Sequence, residues 1–368
     1  MQDLTNNNNN LPQRALVKDI MLSKGKHLVV SASDGTSTQY SYEDILEFFK
    51  ERMSSDNNDS KMNYWIEMQT LEESEITEIC KTLGIHSLTV RDIIERETRE
   101  KCEFFSNHLF VVVNEIHYED GSNHLVSGVL NIILFKNMIL TFHHEPLIST
   151  SQVMRMITYS PTGTLPSAAW IIYAYLDCII DLYIDLVDKL MMETQSLDEL
   201  VLVLTGMKQN ELFTRIGMAG RRLVSLHSGV FGKSEIISIM LRDEKLIPSN
   251  MLRYLRNVQD HVFRMLQKLT LSQRLLANMN NIYMARMSLE VSESSNLINR
   301  SMRKFTAVST VFVPLSLLSG IMGMNVYVPF MVGYFPGGHD YYAFIVVIII
   351  MALFGSTTAF LFKKNGWI

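Results

Sequence analysis

The chain has 368 residues, of which 47% are hydrophobic and 19% are charged, so it is long enough for two or three structural units. Its net charge of -5 argues against a nucleic-acid partner, because proteins that bind nucleic acids usually carry a basic surface. The three cysteines, Cys80, Cys102 and Cys178, lie far apart without a CxxC spacing, which argues against a disulfide framework or a zinc site.

The first residues, 1–14, include an asparagine run and are predicted to form a disordered tail. This segment has neither a basic n-region nor an apolar h-region, so no secretory signal is expected. We therefore expect the long N-terminal part to stay in the cytoplasm.

Residues 15–166 alternate between strand-like and helix-like stretches, which predicts a cytoplasmic α/β domain. Ser41 is placed to cap a helix, and Gly84 is placed to end the first of two short helices that follow. The strand-like stretches are 27–33, 63–69, 108–118 and 130–144, the last of them a hairpin that turns at Lys136-Asn137.

Residues 167–247 are predicted to form a cytoplasmic helical hairpin, whose second helix includes residues 212–228. Four aspartates of its first helix share one face, as a solvated or subunit-facing stripe: Asp177, Asp181, Asp185 and Asp188. Residues 248–304 then predict a stalk helix, because no helix breaker occurs between Ser249 and Pro314. If this helix continues to Met322, it is roughly 100 Å long.

Two uncharged segments, 305–322 and 341–362, predict transmembrane helices, and the second, with twenty-two residues, is long enough for a hydrocarbon core of about 30 Å. Basic residues flank them on one side only: Arg300, Arg303 and Lys304 before the first, Lys363 and Lys364 after the second. Basic flanks predict that both termini are cytoplasmic, with an external loop at 323–340 and a basic tail at 363–368. A pair of buried core helices is the less favoured alternative.

A small and polar stripe follows one face of the first span. From Asn299, steps of three and four residues lead to Met302, Thr306, Ser309, Val313, Ser316 and Gly320. Such a stripe indicates either close helix packing or a water-filled pore. One pair of helices cannot enclose a pore, so the second interpretation requires several chains in a ring.

The end of this span carries the motifs Pro314-Leu315, Ser319-Gly320-Ile321 and Gly323-Met324-Asn325, and the chain ends with Lys363, Lys364 and Trp367. These residues resemble the signature of the CorA superfamily of magnesium transporters. The stretches SLTVRDIIERETREKCEFFSNHLFVVV and LNIILFKNMILTFHHEP look like the fungal Alr-type branch. The resemblance implies a homopentameric, funnel-shaped ion channel whose pore is lined by the first transmembrane helix.

The resemblance also implies residue roles. Gly323, Met324 and Asn325 would form the selectivity filter, where Asn325 binds hydrated Mg²⁺ through its amide oxygen. Mg²⁺ dehydrates reluctantly, so neutral oxygens that bond its waters suit it. Met302 and Phe305 would form a hydrophobic constriction, and the implied pore-lining set is Asn299, Met302, Phe305, Thr306, Ser309, Val313, Ser316 and Gly320.

Two features depart from the family's pattern. The loop after the motif has no acidic residue before Asp340, so cation attraction at the mouth is expected to be weaker. Asn257 stands where the family's regulatory metal site uses an acid, and Asp260, about one turn further along, is the candidate replacement.

The leading hypothesis is potential-driven transport of Mg²⁺, and of other divalent cations, as cargo. The alternatives are a Zn²⁺ or other divalent-metal transporter of the same superfamily, or a non-conducting membrane scaffold. The sequence has no Walker A, Gly-rich phosphate loop or GxSxG motif, so neither an enzyme nor an organic cofactor is expected. The expected partners are further copies of the chain, the lipid bilayer and metal ions, in the plasma membrane or an organelle membrane such as that of the vacuole.

Overall fold

The computed structural model describes residues 26–33, 36–54, 62–118, 125–159, 164–203, 209–242, 247–324, 326 and 341–364. It divides into one compact unit up to Asn280 and another from Asn281 onward. The strands are β1 (His27–Ala32), β2 (Ser37–Gln39), β3 (Tyr64–Gln69), β4 (Lys101–Phe104), β5 (Leu109–Tyr118), β6 (Leu125–Leu134) and β7 (Met138–His143). The helices are α1 (Tyr42–Ser54), α2 (Glu73–Thr82), α3 (Ser87–Ile94), α4 (Ile148–Thr158), α5 (Ala168–Val203), α6 (Gln209–Met240), α7 (Leu252–Met322) and α8 (Tyr341–Lys364).

The seven described strands form one sheet in the order β2-β1-β3-β7-β6-β5-β4. Only β3 and β7 pair in parallel, and every other neighbouring pair is antiparallel. The β6–β7 hairpin turns at Lys136 and Asn137, as predicted. The α/β interpretation of this region is confirmed.

Alternate residues of the central strands face opposite sides of the sheet, because successive side chains point in opposite directions. On one side, Ile66, Phe110 and Leu140 pack with residues of α1, α2 and α3 in an apolar core. On the other side, the Trp65 ring lies 5.9 Å from the Tyr175 ring of α5. The sheet is therefore covered by helices on both faces.

Local capping explains two of the helix ends. The Ser41 hydroxyl accepts a hydrogen bond from the Asp44 backbone N–H at 3.3 Å, which caps α1 as predicted. Gly84 has a φ of +65°, a left-handed conformation that ends α2 at low steric cost. These two sequence predictions are confirmed.

Helix α4 was not predicted, and its N-terminus is capped by a residue that is distant in the sequence. The buried Glu115 carboxylate of β5 accepts the backbone N–H of Ile148 at 2.7 Å and that of Ser149 at 2.9 Å. A carboxylate at a helix N-terminus satisfies free N–H groups and complements the helix dipole. This buried acid thereby fixes α4 to the sheet.

Helix α6 is longer than the predicted 212–228 and contains Gly229 and Gly232 within it. A Cβ atom on Gly229 would lie 2.7 Å from the Tyr183 hydroxyl, and one on Gly232 would overlap the Glu100 carboxylate. The two glycines therefore allow α6 to approach α5 and the sheet closely. This tertiary role explains why they do not end the helix.

All three cysteines are buried and unpaired. Burial is the main cause that raises the pKa of each thiol, Cys80, Cys102 and Cys178, to about 12. The spacing in the sequence argued against a disulfide framework, and all three thiols are free in the structure.

Candidate ion pathway

Helix α7 runs for 71 residues, with Pro314 inside it, so the predicted long helix is present. Among the described residues, two helices are long and apolar enough to cross a membrane, the C-terminal part of α7 and helix α8. Their apolar side chains are exposed, for example Phe312 at 65% and Leu353 at 64%. A buried core helix would have its apolar side chains covered by protein, so this exposure supports a lipid environment.

Each of the two helices has one less-exposed face. On α7 it consists of Ala307, Val311, Leu315 and Leu318, and on α8 of Val347, Met351, Gly355, Thr358 and Phe362. Both sets repeat at three and four residues, the spacing of one side of a helix. This pattern is that of two helices packed against each other in a hairpin.

The predicted polar stripe lies on the other side of α7. At about 100° per residue, the centre of the set from Met302 to Gly320 is roughly opposite the centre of the less-exposed face. Its side chains are exposed in the single chain, including Met302 at 57% and Val313 at 63%. Asn299 and Phe305 are exposed as well, the latter at 70%. The stripe is therefore free to face other copies of the chain or water.

Hydroxyl groups of this segment bond to the helix itself. Thr310 donates to the Thr306 carbonyl at 2.7 Å, and Ser316 donates to the Val313 carbonyl at 3.0 Å. Pro314 has no N–H, so it cannot donate to the Thr310 carbonyl four residues before it. Within the stripe, Thr306, Ser309 and Ser316 thus carry hydroxyl groups but no charge.

The last turn of α7 leads directly into the predicted filter. The Gly323 N–H donates to the Ser319 carbonyl at 3.0 Å, and the Met324 N–H donates to the Ile321 carbonyl at 3.3 Å. A Cβ on Gly323 would lie 3.4 Å from the Ser319 oxygen, and one on Gly320 would meet nothing within 4 Å. Contacts within one chain therefore do not require glycine at either position. Asn325 lies outside the described residues, so its role stays a prediction.

The candidate regulatory residue Asp260 is exposed on α7, as is Asn257. No group of three or more His, Cys, Asp or Glu side chains that could hold a metal ion occurs in the part of the chain that the structure describes. The role of Asp260 in sensing Mg²⁺ therefore remains a prediction.

Part of the aspartate stripe on α5 faces the chain's own stalk. Asp188 pairs with Lys268 of α7, and Asp177 accepts a hydrogen bond from Tyr173 at 3.4 Å. Burial raises the pKa of Asp177, while nearby His261 of α7 partly opposes that rise. Asp181 and Asp185 are exposed, and the Asp188 side chain is 45% exposed despite its ion pair, whereas Asp177 is half-buried.

The sequence did not reveal a buried ionic cluster within the sheet. Glu67 of β3 lies between two histidines, with His27 Nε2 at 2.7 Å from its carboxylate and His143 Nε2 on the other oxygen. The His143 Nδ1 group donates to the Glu145 carbonyl at 2.7 Å. Although burial opposes its charge, the two imidazoles lower the pKa of Glu67, and Glu67 in turn raises that of buried His143.

A second buried ion pair joins α6 to the sheet. The Lys233 ammonium lies 2.5 Å from the Glu100 carboxylate and 3.8 Å from the centroid of the Tyr183 ring. Burial lowers the pKa of Lys233, and Glu100 opposes that effect. Signals for both clusters come from residues distant in sequence, so no local pattern could have located them.

Comparison with known proteins connects these features to a family. A sequence model described as CorA-like Mg²⁺ transporter protein matches residues 60–364. The cobalt/magnesium transport protein CorA of Thermotoga maritima is 27% identical over 335 residues, which cover 89% of this chain and 91% of that protein. The magnesium transporter ALR2 of Saccharomyces cerevisiae is 26% identical over 313 residues, covering 72% of this chain.

The fungal relatives are much longer than this chain. It spans 36% of the length of ALR2, and between 34% and 45% of the length of four fungal relatives. Among solved structures, the complete CorA magnesium transporter of Methanocaldococcus jannaschii aligns with a TM-score of 0.60 over 93% of this chain and 98% of that one. At 16% identity, that likeness concerns the fold.

Proposed function

The chain belongs to the CorA-like Mg²⁺ transporter family, a family of ion transporters rather than enzymes, and we propose that it conducts Mg²⁺ through a homopentameric pore. In this proposal, α7 lines the pore with the stripe from Asn299 to Gly320. The loop that begins Gly323-Met324-Asn325 forms the selectivity filter at the outer mouth.

One observation supports this assignment most directly. The stripe is exposed on the side of α7 opposite its packing face, within a span that carries no charge. A polar face in lipid is unfavourable, so it needs protein or water beside it. A ring of identical chains provides both, because each copy covers its neighbour's flank and the stripes enclose a common axis.

The chemistry of the stripe suits a hydrated divalent cation. Mg²⁺ keeps its waters, and neutral oxygens along the wall bond to them without holding the ion too strongly for release. A ring of Met302 and Phe305 closes the cytoplasmic end by excluding water. The membrane potential supplies about 4.6 kcal/mol for a divalent ion at 100 mV, so the transport needs no ATP.

The proposed topology places both termini in the cytoplasm. All five basic residues that flank the spans lie at the end where α7 enters and α8 leaves the membrane. Positively charged flanks favour the cytoplasmic side. The site of action is then the plasma membrane or an organelle membrane such as the vacuolar one.

Uptake by reconstituted vesicles tests the proposal. The full chain, purified in detergent and incorporated into vesicles that contain a Mg²⁺-sensitive dye, should admit Mg²⁺ faster when the inside is negative. The mass of the protein in detergent should correspond to five chains. A stable monomer or dimer would contradict the pore, and vesicles that admit no divalent cation would favour the scaffold alternative.

The same vesicles decide between Mg²⁺ and Zn²⁺ as cargo. The loop that follows the filter has no acid before Asp340, so cation attraction at the mouth is expected to be weaker, and the preference for Mg²⁺ is inferred from the family. Mg²⁺ should enter faster than Zn²⁺ at equal concentration. The reverse order would transfer the assignment to Zn²⁺ transport by the same architecture.

A further inference from the structure

Five basic residues surround the end of the helical hairpin where both spans meet the proposed cytoplasmic side. They are Arg300, Arg303 and Lys304 of α7 and Lys363 and Lys364 of α8, here called the basic patch. All five are exposed, and none has an ion-pair or hydrogen-bond partner among the described residues. From residue 294 to 364, the sequence has only one acid, Asp340, which lies outside the described residues and directly precedes α8 in the sequence. Counter-charges for the patch must therefore come from outside this part of the chain.

The direction of the patch separates it from the pore stripe. At about 100° per residue, Arg300, Arg303 and Lys304 lie within about 60° of Ala307, on the less-exposed side of α7. Ser309, Ser316 and Gly320 lie at least about 140° from Ala307 by the same measure. The basic side chains of α7 thus lie on its less-exposed side rather than on the side of the pore stripe.

The lysines of α8 complete the same patch from its outer side. They follow Phe362, the last residue of the less-exposed face, by one and two positions. Steps of about 100° turn them away from that face, so Lys363 and Lys364 point to the surroundings of the hairpin rather than into it. Long basic side chains at the ends of spans extend to the lipid headgroups.

We propose that the basic patch binds the headgroups of anionic phospholipids in the cytoplasmic leaflet. Clusters of four to eight Lys and Arg residues directly beside a transmembrane helix are attracted to anionic lipids. Here the cations are unpaired within the described residues, lie at headgroup depth and face away from the pore stripe. The lipid phosphates and carboxylates supply the missing counter-charge.

This inference depends on the membrane insertion and orientation of the proposed function, but not on conduction. Lipid retention can therefore be measured without any ion flux. The purified full chain would be exposed to equal amounts of phosphatidylserine and phosphatidylcholine and its bound lipids counted by native mass spectrometry. The intact protein should retain phosphatidylserine preferentially.

The test variant replaces Arg303, Lys304, Lys363 and Lys364 with Gln. The matched control removes four exposed stalk cations instead: Arg253, Arg256, Arg264 and Arg274 to Gln. The preference for phosphatidylserine should fall about fivefold per cation removed in the first variant and remain in the control. If the variant with four substitutions does not fold, the single variants Lys304→Gln and Lys364→Gln replace it. Each should lower the preference for phosphatidylserine about fivefold.

Three results would overturn the proposal. The intact protein would retain both lipids equally, the stalk control would lose the preference as much as the patch variant, or soluble inorganic phosphate would displace the lipid as effectively as added phosphatidylserine. The last result would indicate a site for free anions instead of a lipid site. Retained lipid preference together with failed Mg²⁺ uptake would contradict the proposed function alone.

Discussion

The α/β unit and the membrane helices handle polar groups in different ways. In the α/β unit, charged groups are buried because elements distant in sequence bring their partners: Glu67 of β3 meets His27 and His143 of other strands, and Glu100 meets Lys233 of helix α6. In the uncharged part of α7, the hydroxyls of Thr310 and Ser316 bond to carbonyls four and three residues earlier in the same helix. A single helix has no neighbouring strands to supply partners, so a hydroxyl there bonds to its own backbone or needs a partner from water or another helix.

This difference shows which region can satisfy its polar and apolar groups with contacts from one chain alone. The α/β unit satisfies its buried charges internally, whereas α7 leaves a polar stripe and α8 leaves apolar faces exposed. The first therefore has the contacts of an independent folding unit. The second obtains its remaining contacts from lipid and, in our proposal, from four further copies.

The largest expected effect follows from removing the central charge of the sheet. Glu67→Gln leaves two imidazoles without their carboxylate, and breaking a buried ion pair from one side typically costs about 3–5 kcal/mol. The thermal unfolding of the full chain, followed by tryptophan fluorescence near Trp65, should shift to a lower temperature. The matched control is Glu78→Gln at the surface, where the carboxylate accepts the Tyr42 hydroxyl at 2.7 Å. Equal stability of the two variants would show that the buried cluster is not what distinguishes the sheet.

The next largest effect concerns the neutral mouth of the pathway. Asn325→Ala removes the proposed amide ligands and should lower Mg²⁺ uptake at least about tenfold while the assembly survives. Asn325→Asp adds one charge per chain and should tighten cation binding, slow release and relax ion choice. Size-exclusion chromatography checks assembly, and vesicle uptake checks transport. If both variants transport like the parent, Asn325 is a turn residue rather than a filter.

Bulky substitutions on two faces of α7 test which face lines the proposed pore and which faces lipid. Ser316→Leu should narrow the proposed pore and lower uptake about threefold or more, because an apolar ring excludes water. Val308→Leu adds volume at a position that is 53% exposed and lies toward the lipid, so uptake should be unchanged. Equal effects at the two positions would contradict the orientation of α7.

A change of pH should lower the stability of the protein by less than Glu67→Gln does, because it neutralises one group of the cluster at a time. The raised pKa of His143 contributes stability that is complete below the ordinary value of about 6.5 and is lost as pH rises through the raised value. The lowered pKa of Glu67 contributes stability that is present above about 4.3 and is lost as pH falls through the lowered value. The unfolding temperature should fall at both ends of this pH range, and Glu67→Gln should abolish the decline at the alkaline end.

The smallest expected effect is at the stalk. Asn257 replaces an acid of the family's regulatory site, so inhibition by cytoplasmic Mg²⁺ should be shallow, and Asp260→Ala should alter it only if Asp260 has taken over that role. Uptake measured against increasing Mg²⁺ on the side of the soluble unit gives the inhibition curve. Steep inhibition that persists in Asp260→Ala would place Mg²⁺ sensing elsewhere.

The sequence was most informative where a pattern is local and long. The strands in the stretches 27–33, 63–69 and 108–118 and the 71-residue helix α7 follow from side-chain periodicity and the scarcity of helix breakers. Strands β2 and β4 were missed because each has at most four residues and exists only by pairing with a longer neighbour.

Other features depend on partners far away in the chain. Helix α4 was missed because its cap comes from Glu115, 33 residues before Ile148, and the residue at its N-cap, Leu147, makes no side-chain cap. At the candidate site, the polar stripe could be located from its spacing alone. The exact residues of the less-exposed face of α7, with Ala307 at its most buried point, required the burial pattern of the structure.

The three buried thiols have a practical consequence for chemical labelling. A pKa of about 12 leaves only about one thiolate in 10⁵ at pH 7, and the thiolate is the form that reacts with alkylating reagents. The native cysteines should therefore react very little with reagents that attach probes to an introduced cysteine. A single cysteine introduced at Ser309 or Ser316 would report its own accessibility to water-soluble reagents, with no need to replace Cys80, Cys102 or Cys178 first.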